Sequence, residues 1–335
     1  MELIVDFLRQ FLSQLQSPTL SFLIGGFLIA ALGSRLTIPG PIYQFVVFML
    51  LMKIGLEGGI EIRQANLGAM LLPAFFAVLI GLLIVYVGHM IFSRLANIQA
   101  GDGTATAGLF GAVSASTLAA ALVMLEEQMI GFEAWVPALY PFMDIPALIL
   151  AIVLASVARE KAGGKHAKKV SGWEIVKDSL RGSALSAMLL GLVIGLLAKP
   201  ESVTHSFYDP LFRGMLSILM LILGMEAWSR IRELKGVAHW FILYATIGPL
   251  LHGMLAFGLG YLAHLWVGFS PGGVVLLAVI ASSNSDISGP PTIRAGIPWA
   301  NPSAYIGAST SVGTPVAIAI GIPFYIALAQ VVFNL

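Results

Sequence analysis

Two short, hydroxyl-rich stretches break otherwise apolar surroundings. They are Gly111-Ala112-Val113-Ser114-Ala115-Ser116-Thr117 and Ala281-Ser282-Ser283-Asn284-Ser285-Asp286-Ile287-Ser288-Gly289-Pro290-Pro291. Backbone amides and hydroxyls in such stretches donate to an anion, and the same hydroxyls with freed carbonyls coordinate a small hard cation. Asp144 and Asp286 are the informative charges. An aspartate at membrane depth costs about 2.5 to 3.5 kcal/mol even on a lenient insertion scale, so it marks function by default. Gly111, Ala112, Ser114, Ser116, Thr117, Ser283, Asn284 and Ser285 are therefore the candidate anion-binding residues. Asp144 and Asp286, with Ser116, Thr117, Ser288, Ser311 and Thr314, are the candidate sodium ligands. The alternative is proton coupling, in which burial and a like charge raise an aspartate pKa.

The surroundings are those of a membrane protein. Of 335 residues, 58% are hydrophobic and only 10% charged, too little polar surface for a soluble globule of this size. Mean hydropathy is +0.91. Cysteine is absent, which excludes disulfide and thiol chemistry, and the net charge of +1 says nothing about partners. A span needs about 20 apolar residues. Ten are expected, over 19–34, 41–56, 68–93, 104–125, 134–158, 177–198, 211–228, 238–266, 272–293 and 302–333.

The chain also repeats. Gly55, Glu57 and Arg63 return 169 residues later as Gly224, Glu226 and Arg232, and Ser114, Ser116 and Pro146 as Ser283, Ser285 and Pro315. Five spans per half invert the second repeat in the membrane, the architecture of many secondary transporters. The expected fold is thus all-α and integral to the membrane, with ten transmembrane helices in two inverted five-helix repeats. Its parts are 1–158, a basic hinge at 159–173, and 174–335. Spans four and nine are expected to be broken. Pro290 and Pro291 cannot donate to a helical ladder, and irregular backbone in hydrocarbon must line a cavity or be buried in protein. The half-helix ends then face each other near the midplane, where free N–H groups favour an anion.

With the hinge inside, 13 Lys and Arg lie at cytoplasmic ends and 5 on the other face, which places both termini outside. Residues 1–16 have the spacing of an interfacial amphipathic helix or of one packed on the first span. Glu57 and Glu226 read as helix-end residues that cap or pair with Arg63 and Arg232. His89, His252 and His264 have no metal-ligand spacing and read as packed side chains.

Over nearly its whole length the chain resembles the SbtA family of cyanobacterial sodium-dependent bicarbonate transporters. The resemblance rests on residues 16–20, 110–114, 138–146, 224–230 and 285–291, and on the unusual string Phe207-Tyr208-Asp209-Pro210-Leu211-Phe212-Arg213-Gly214. It implies a sodium-driven bicarbonate symporter, not an enzyme. It further implies a homotrimer in the plasma (inner) membrane in contact with lipid, and a PII-like regulator, SbtB, on the cytoplasmic face. Two positions depart from the family pattern, which has glycine where Ala115 stands and serine where Asn284 stands. Both lie in the proposed site and leave open another small anion, such as a carboxylate. An anion channel would conduct without a sodium gradient, and an intramembrane hydrolase would need a base beside Ser114 or Ser285 that no nearby histidine supplies.

Overall fold

In the computed structural model, residues 9, 12, 16–63, 67–95, 98–161, 172–231, 239–287 and 289–335 are described. Most of the expected N-terminal helix, hinge residues 162–171, Arg232 and Ser288 lie outside these. The described residues form helices joined by short turns. Each expected span coincides with helix: α1 (Pro18–Ala31), α2 (Gly40–Ile62), α3 (Leu67–Phe92), α4 (Ala100–Gly111), α5 (Ala115–Glu127), α6 (Tyr140–Lys161), α7 (Gly172–Arg181), α8 (Ser183–Leu197), α9 (Asp209–Ile231), α10 (His239–Val267), α11 (Pro271–Ser282), α12 (Gly289–Gly296) and α13 (Pro302–Phe333).

Among the described residues six helical segments are long and apolar enough to cross a bilayer, and α1, α8 and α11 are apolar but shorter. The segment 100–127 is one of the six by length, yet its ladder is interrupted between α4 and α5. The apolar run therefore holds two half-helices, as does the run containing α11 and α12.

Helices α2 and α9 start and end 169 residues apart, the spacing of the sequence repeat. They pack crosswise: α1 lies against α9, and α8 against α2. Glycines permit this approach because small residues let helix backbones meet. A Cβ on Gly191 would stand 2.5 Å from the Met52 carbonyl oxygen, and one on Gly224 would run into the backbone of Leu23 and Phe27. These four helices form one panel. The remainder gathers around α4, α5 and α11, whose residues are almost wholly buried.

Charges in the panel pair locally. Glu57 takes Lys53, one helical turn back, at 2.7 Å, rather than the expected Arg63. Arg63 instead reaches Glu201 and donates to the Ala198 carbonyl at 2.6 Å. Lys53 is 5% exposed and needs this company: Asp209 lies 3.8 Å away and the Phe212 ring 4.3 Å.

Candidate functional site

The first interruption follows Gly111. Ala112 turns extended (φ −90°, ψ 172°), and α5 restarts after Ser114, whose Oγ accepts the Thr117 N–H at 3.2 Å as an N-cap. The turn leaves the Val113 N–H without a helical partner, and Asp144 of α6 accepts it through Oδ1 at 2.9 Å. Gly111 must be glycine-sized, since its Cβ would sit 2.9 Å from the Gly81 carbonyl oxygen. Ala112 packs among apolar side chains.

The second interruption follows Ser282. Ser283 is extended (φ −74°, ψ 177°), and Ser285 Oγ accepts the Gly289 N–H at 2.8 Å, so a serine caps the next half-helix here too. Pro290 and Pro291 occupy the first turn of α12, where no helical donor is required.

The two interruptions are joined to each other. The Ser114 N–H donates to Ser283 Oγ at 3.0 Å, a bond between positions 169 residues apart. The Ser285 N–H donates to the Leu109 carbonyl at 2.9 Å. Ser116 Oγ donates to Asp286 Oδ2 at 2.9 Å and lies 2.8 Å from Ser114 Oγ. Peptide groups freed by one break are thus satisfied by the other, as a dry interior demands.

Asn284 points away from this seam towards α13. Its amide orientation follows from its neighbours: Nδ2 donates to Thr314 Oγ1 at 2.9 Å and to the Ser309 carbonyl at 3.0 Å, and Oδ1 accepts the Thr314 N–H at 3.0 Å. There α13 is π-helical over Gly307–Gly313. Gly313 is required beside it, because a Cβ would meet the Asn284 amide and the Phe110 ring at 2.7 Å each.

A cavity of about 270 Å³ reaches this region between the panel and α13. Asp286, Thr310 and Thr314 line one side, and Tyr43, Gln44, Ser183 and Glu226 the other. Among the described lining residues the charged ones are Asp286 and Glu226. Of the candidate residues, then, Asp286 and Thr314 face the cavity. Ser114, Thr117, Ser283, Asn284 and Ser285 are 0% exposed; the serines are engaged within the seam and Asn284 with α13. Thr117 Oγ1 and Asp144 Oδ2 are the exceptions, buried with no hydrogen-bond partner. Such orphaned oxygens are costly unless a cation or proton meets them. Ser311 is buried in the π-helical stretch.

Tyr43, Gln44 and Glu226 have no motif signal as cavity residues. Glu226 was visible only as one of a repeated pair, and nothing local shows that it faces Asp286 across open space. The histidines are packed as expected: His89 Nδ1 lies 2.8 Å from Thr104 Oγ1, His264 Nδ1 2.7 Å from the Phe269 carbonyl, and His252 sits among the Tyr244 and Phe110 rings. Among the described residues no three acids or histidines gather as a metal centre. A family model described as the Na+-dependent bicarbonate transporter superfamily matches residues 18–330. No individually curated protein matches the chain.

Proposed function

Because the chain belongs to the Na+-dependent bicarbonate transporter superfamily, we propose that it is a symporter that carries bicarbonate into the cell with sodium, by alternating access. The observation that carries this reading is Asp286. It lines the cavity while held by Ser116 at the start of the opposite half-helix. An anion entering beside a carboxylate is repelled: two unit charges 4 Å apart cost about 4 kcal/mol at an effective dielectric constant of 20. A sodium ion between them reverses the sign, so anion uptake becomes conditional on the cation.

In this reading the amides and hydroxyls of 111–117 and 283–285 form the anion side, and Asp144 and Asp286 hold sodium with help from Ser116, Thr117, Ser288, Ser311 and Thr314. The buried, unpartnered Asp144 Oδ2 and Thr117 Oγ1 support a cation nearby. Ten spans in two inverted repeats are supported by the shared bounds of α2 and α9 and by the Ser114–Ser283 bond, which suits two positions related by one axis. The parts are 1–158, the hinge 159–173 and 174–335, with both termini outside the plasma membrane. The unit moving against the panel contains the two interruptions. A homotrimer in lipid, regulated by a PII-like SbtB protein on the cytoplasmic face, completes the proposal.

The test is uptake of radiolabelled bicarbonate into proteoliposomes with and without an inward sodium gradient. Sodium-dependent accumulation is expected. Equal uptake without sodium would favour proton coupling or a channel, and no uptake would direct the search to another small anion.

A further inference from the structure

The Thr314 hydroxyl differs from those of Ser309 and Thr310. In the same stretch of α13, Thr310 Oγ1 donates to the Ile306 carbonyl at 2.7 Å and Ser309 Oγ to the same oxygen at 3.3 Å. This is the usual fate of Ser and Thr in a buried helix, where the hydroxyl hydrogen is consumed by the preceding turn. Thr314 Oγ1 is instead an acceptor, taking a hydrogen from Asn284 Nδ2 at 2.9 Å. Its own hydrogen is not needed for that bond, and Thr314 lines the cavity beside Asp286 and Thr310.

The amide is held firmly enough to dictate this. Asn284 is 0% exposed and grips the backbone at the π-helical stretch from both sides, donating to the Ser309 carbonyl and accepting the Thr314 N–H at 3.0 Å each. Those two groups are also the helical pair that ends the stretch, since the Thr314 N–H faces the Ser309 carbonyl five residues back. A side chain inserted at a π-bulge fixes the local geometry, and such bulges concentrate at functional sites. Gly313 leaves room for the amide. No hydrogen remains on Nδ2 for other partners, because both are spent on Thr314 Oγ1 and Ser309.

We propose that Asn284 is a positioning residue for anion recognition: by donating to Thr314 Oγ1 it holds that oxygen in place at the cavity wall and leaves the hydroxyl hydrogen, which the bond does not use, to donate to an oxygen of the bound oxyanion. The inference rests on the bicarbonate reading above and deepens it. It assigns Thr314 to the anion rather than to sodium, and Asn284 a role through Thr314 rather than a direct contact. A serine at 284 has one donor where asparagine has two, and is too short to bridge both groups. Thr314 Oγ1 then loses the donor that holds it, and the side chain is free to rotate back to the carbonyl of residue 310, as Ser309 and Thr310 do to Ile306.

The experiment measures bicarbonate KM, maximal rate and half-saturating sodium in proteoliposomes for Asn284→Ser, Thr314→Val, Thr314→Ser and the Asn284→Ser/Thr314→Val pair. Expected are a roughly tenfold rise in bicarbonate KM for Asn284→Ser and Thr314→Val, about 1.4 kcal/mol of binding, and no further rise in the double variant. Thr314→Ser keeps KM near wild type, and half-saturating sodium stays within about twofold throughout. Effects that multiply in the double variant, a fall in maximal rate alone, or a rise in half-saturating sodium with bicarbonate KM unchanged would each overturn the assignment. Should Asn284→Ser not reach the membrane, the contrast of Thr314→Val with Thr314→Ser decides. A wild type that transports while both variants keep its KM sinks this inference alone; a wild type that takes up no bicarbonate sinks the underlying reading with it.

Discussion

The interruption after Gly111 closes within three residues and borrows its carboxylate from another helix, whereas the one after Ser282 runs on to Gly289 and carries a carboxylate of its own. Both are capped by a serine, and the Ser114–Ser283 bond joins them at equivalent positions. What differs is where the charge sits. Asp144 is 0% exposed and one of its oxygens satisfies the Val113 N–H, while Asp286 lines the cavity. The first interruption is the better enclosed and depends on its acid for backbone satisfaction. The second presents its acid to whatever enters. A repeat can thus supply two matching backbones and still divide the work of holding the fold and meeting the ion.

The sharpest way to break that comparison is at Asp286. Asparagine keeps an oxygen to accept the Ser116 hydroxyl, so the seam persists while the charge is lost. Asp286→Asn is expected to reduce sodium-dependent bicarbonate uptake to background, with membrane expression and thermal midpoint in detergent unchanged. Uptake at the wild-type level would remove Asp286 from the coupling site.

Asp144 separates the two roles by choice of substitution. Asp144→Ala leaves the Val113 N–H buried with no acceptor, a loss of about 1–3 kcal/mol, and is expected to lower the thermal midpoint and the yield of folded protein. Asp144→Asn retains the acceptor and is expected to restore the midpoint while raising half-saturating sodium several-fold, because the second carboxylate oxygen loses its charge. Equal melting of the two variants would show that the Val113 bond contributes nothing. An unchanged sodium dependence in Asp144→Asn would confine Asp144 to the fold.

The helices and both interruptions were legible in the sequence for local reasons. Apolar runs of sufficient length mark the helices, and the paired prolines 290 and 291 cannot sustain a ladder. The serine-rich stretches were legible as special, but their direction was not. Whether Asn284 faces an anion or grips α13 depends on a residue 30 positions away, and the Asp144–Val113 bond spans 31. Glu57 was nearer to reach: Lys53 lies one turn back on the same face, whereas Arg63 is six residues on and is taken up by Glu201 and the Ala198 carbonyl. Tyr43, Gln44 and Glu226 become cavity residues only because α2 and α9 pack together, a fact that no window of neighbouring residues contains.

The smallest difference is the one expected between the two serines that hold the second interruption. Ser283 Oγ is the acceptor for the Ser114 N–H, and Ser285 Oγ caps α12 through the Gly289 N–H. Alanine at 285 removes a cap, typically about 1 kcal/mol, and the affected amide lies at a helix start with two prolines behind it that donate nothing. Alanine at 283 removes an acceptor from an amide in the fully enclosed first interruption, where the cost of an unsatisfied donor is about 1–3 kcal/mol. Ser283→Ala is therefore expected to lower the detergent melting point more than Ser285→Ala, although Ser283 and Ser285 lie in the same loop. The reverse order would mean that the second interruption, not the first, is the better enclosed, and would overturn the division between a holding break and a meeting break.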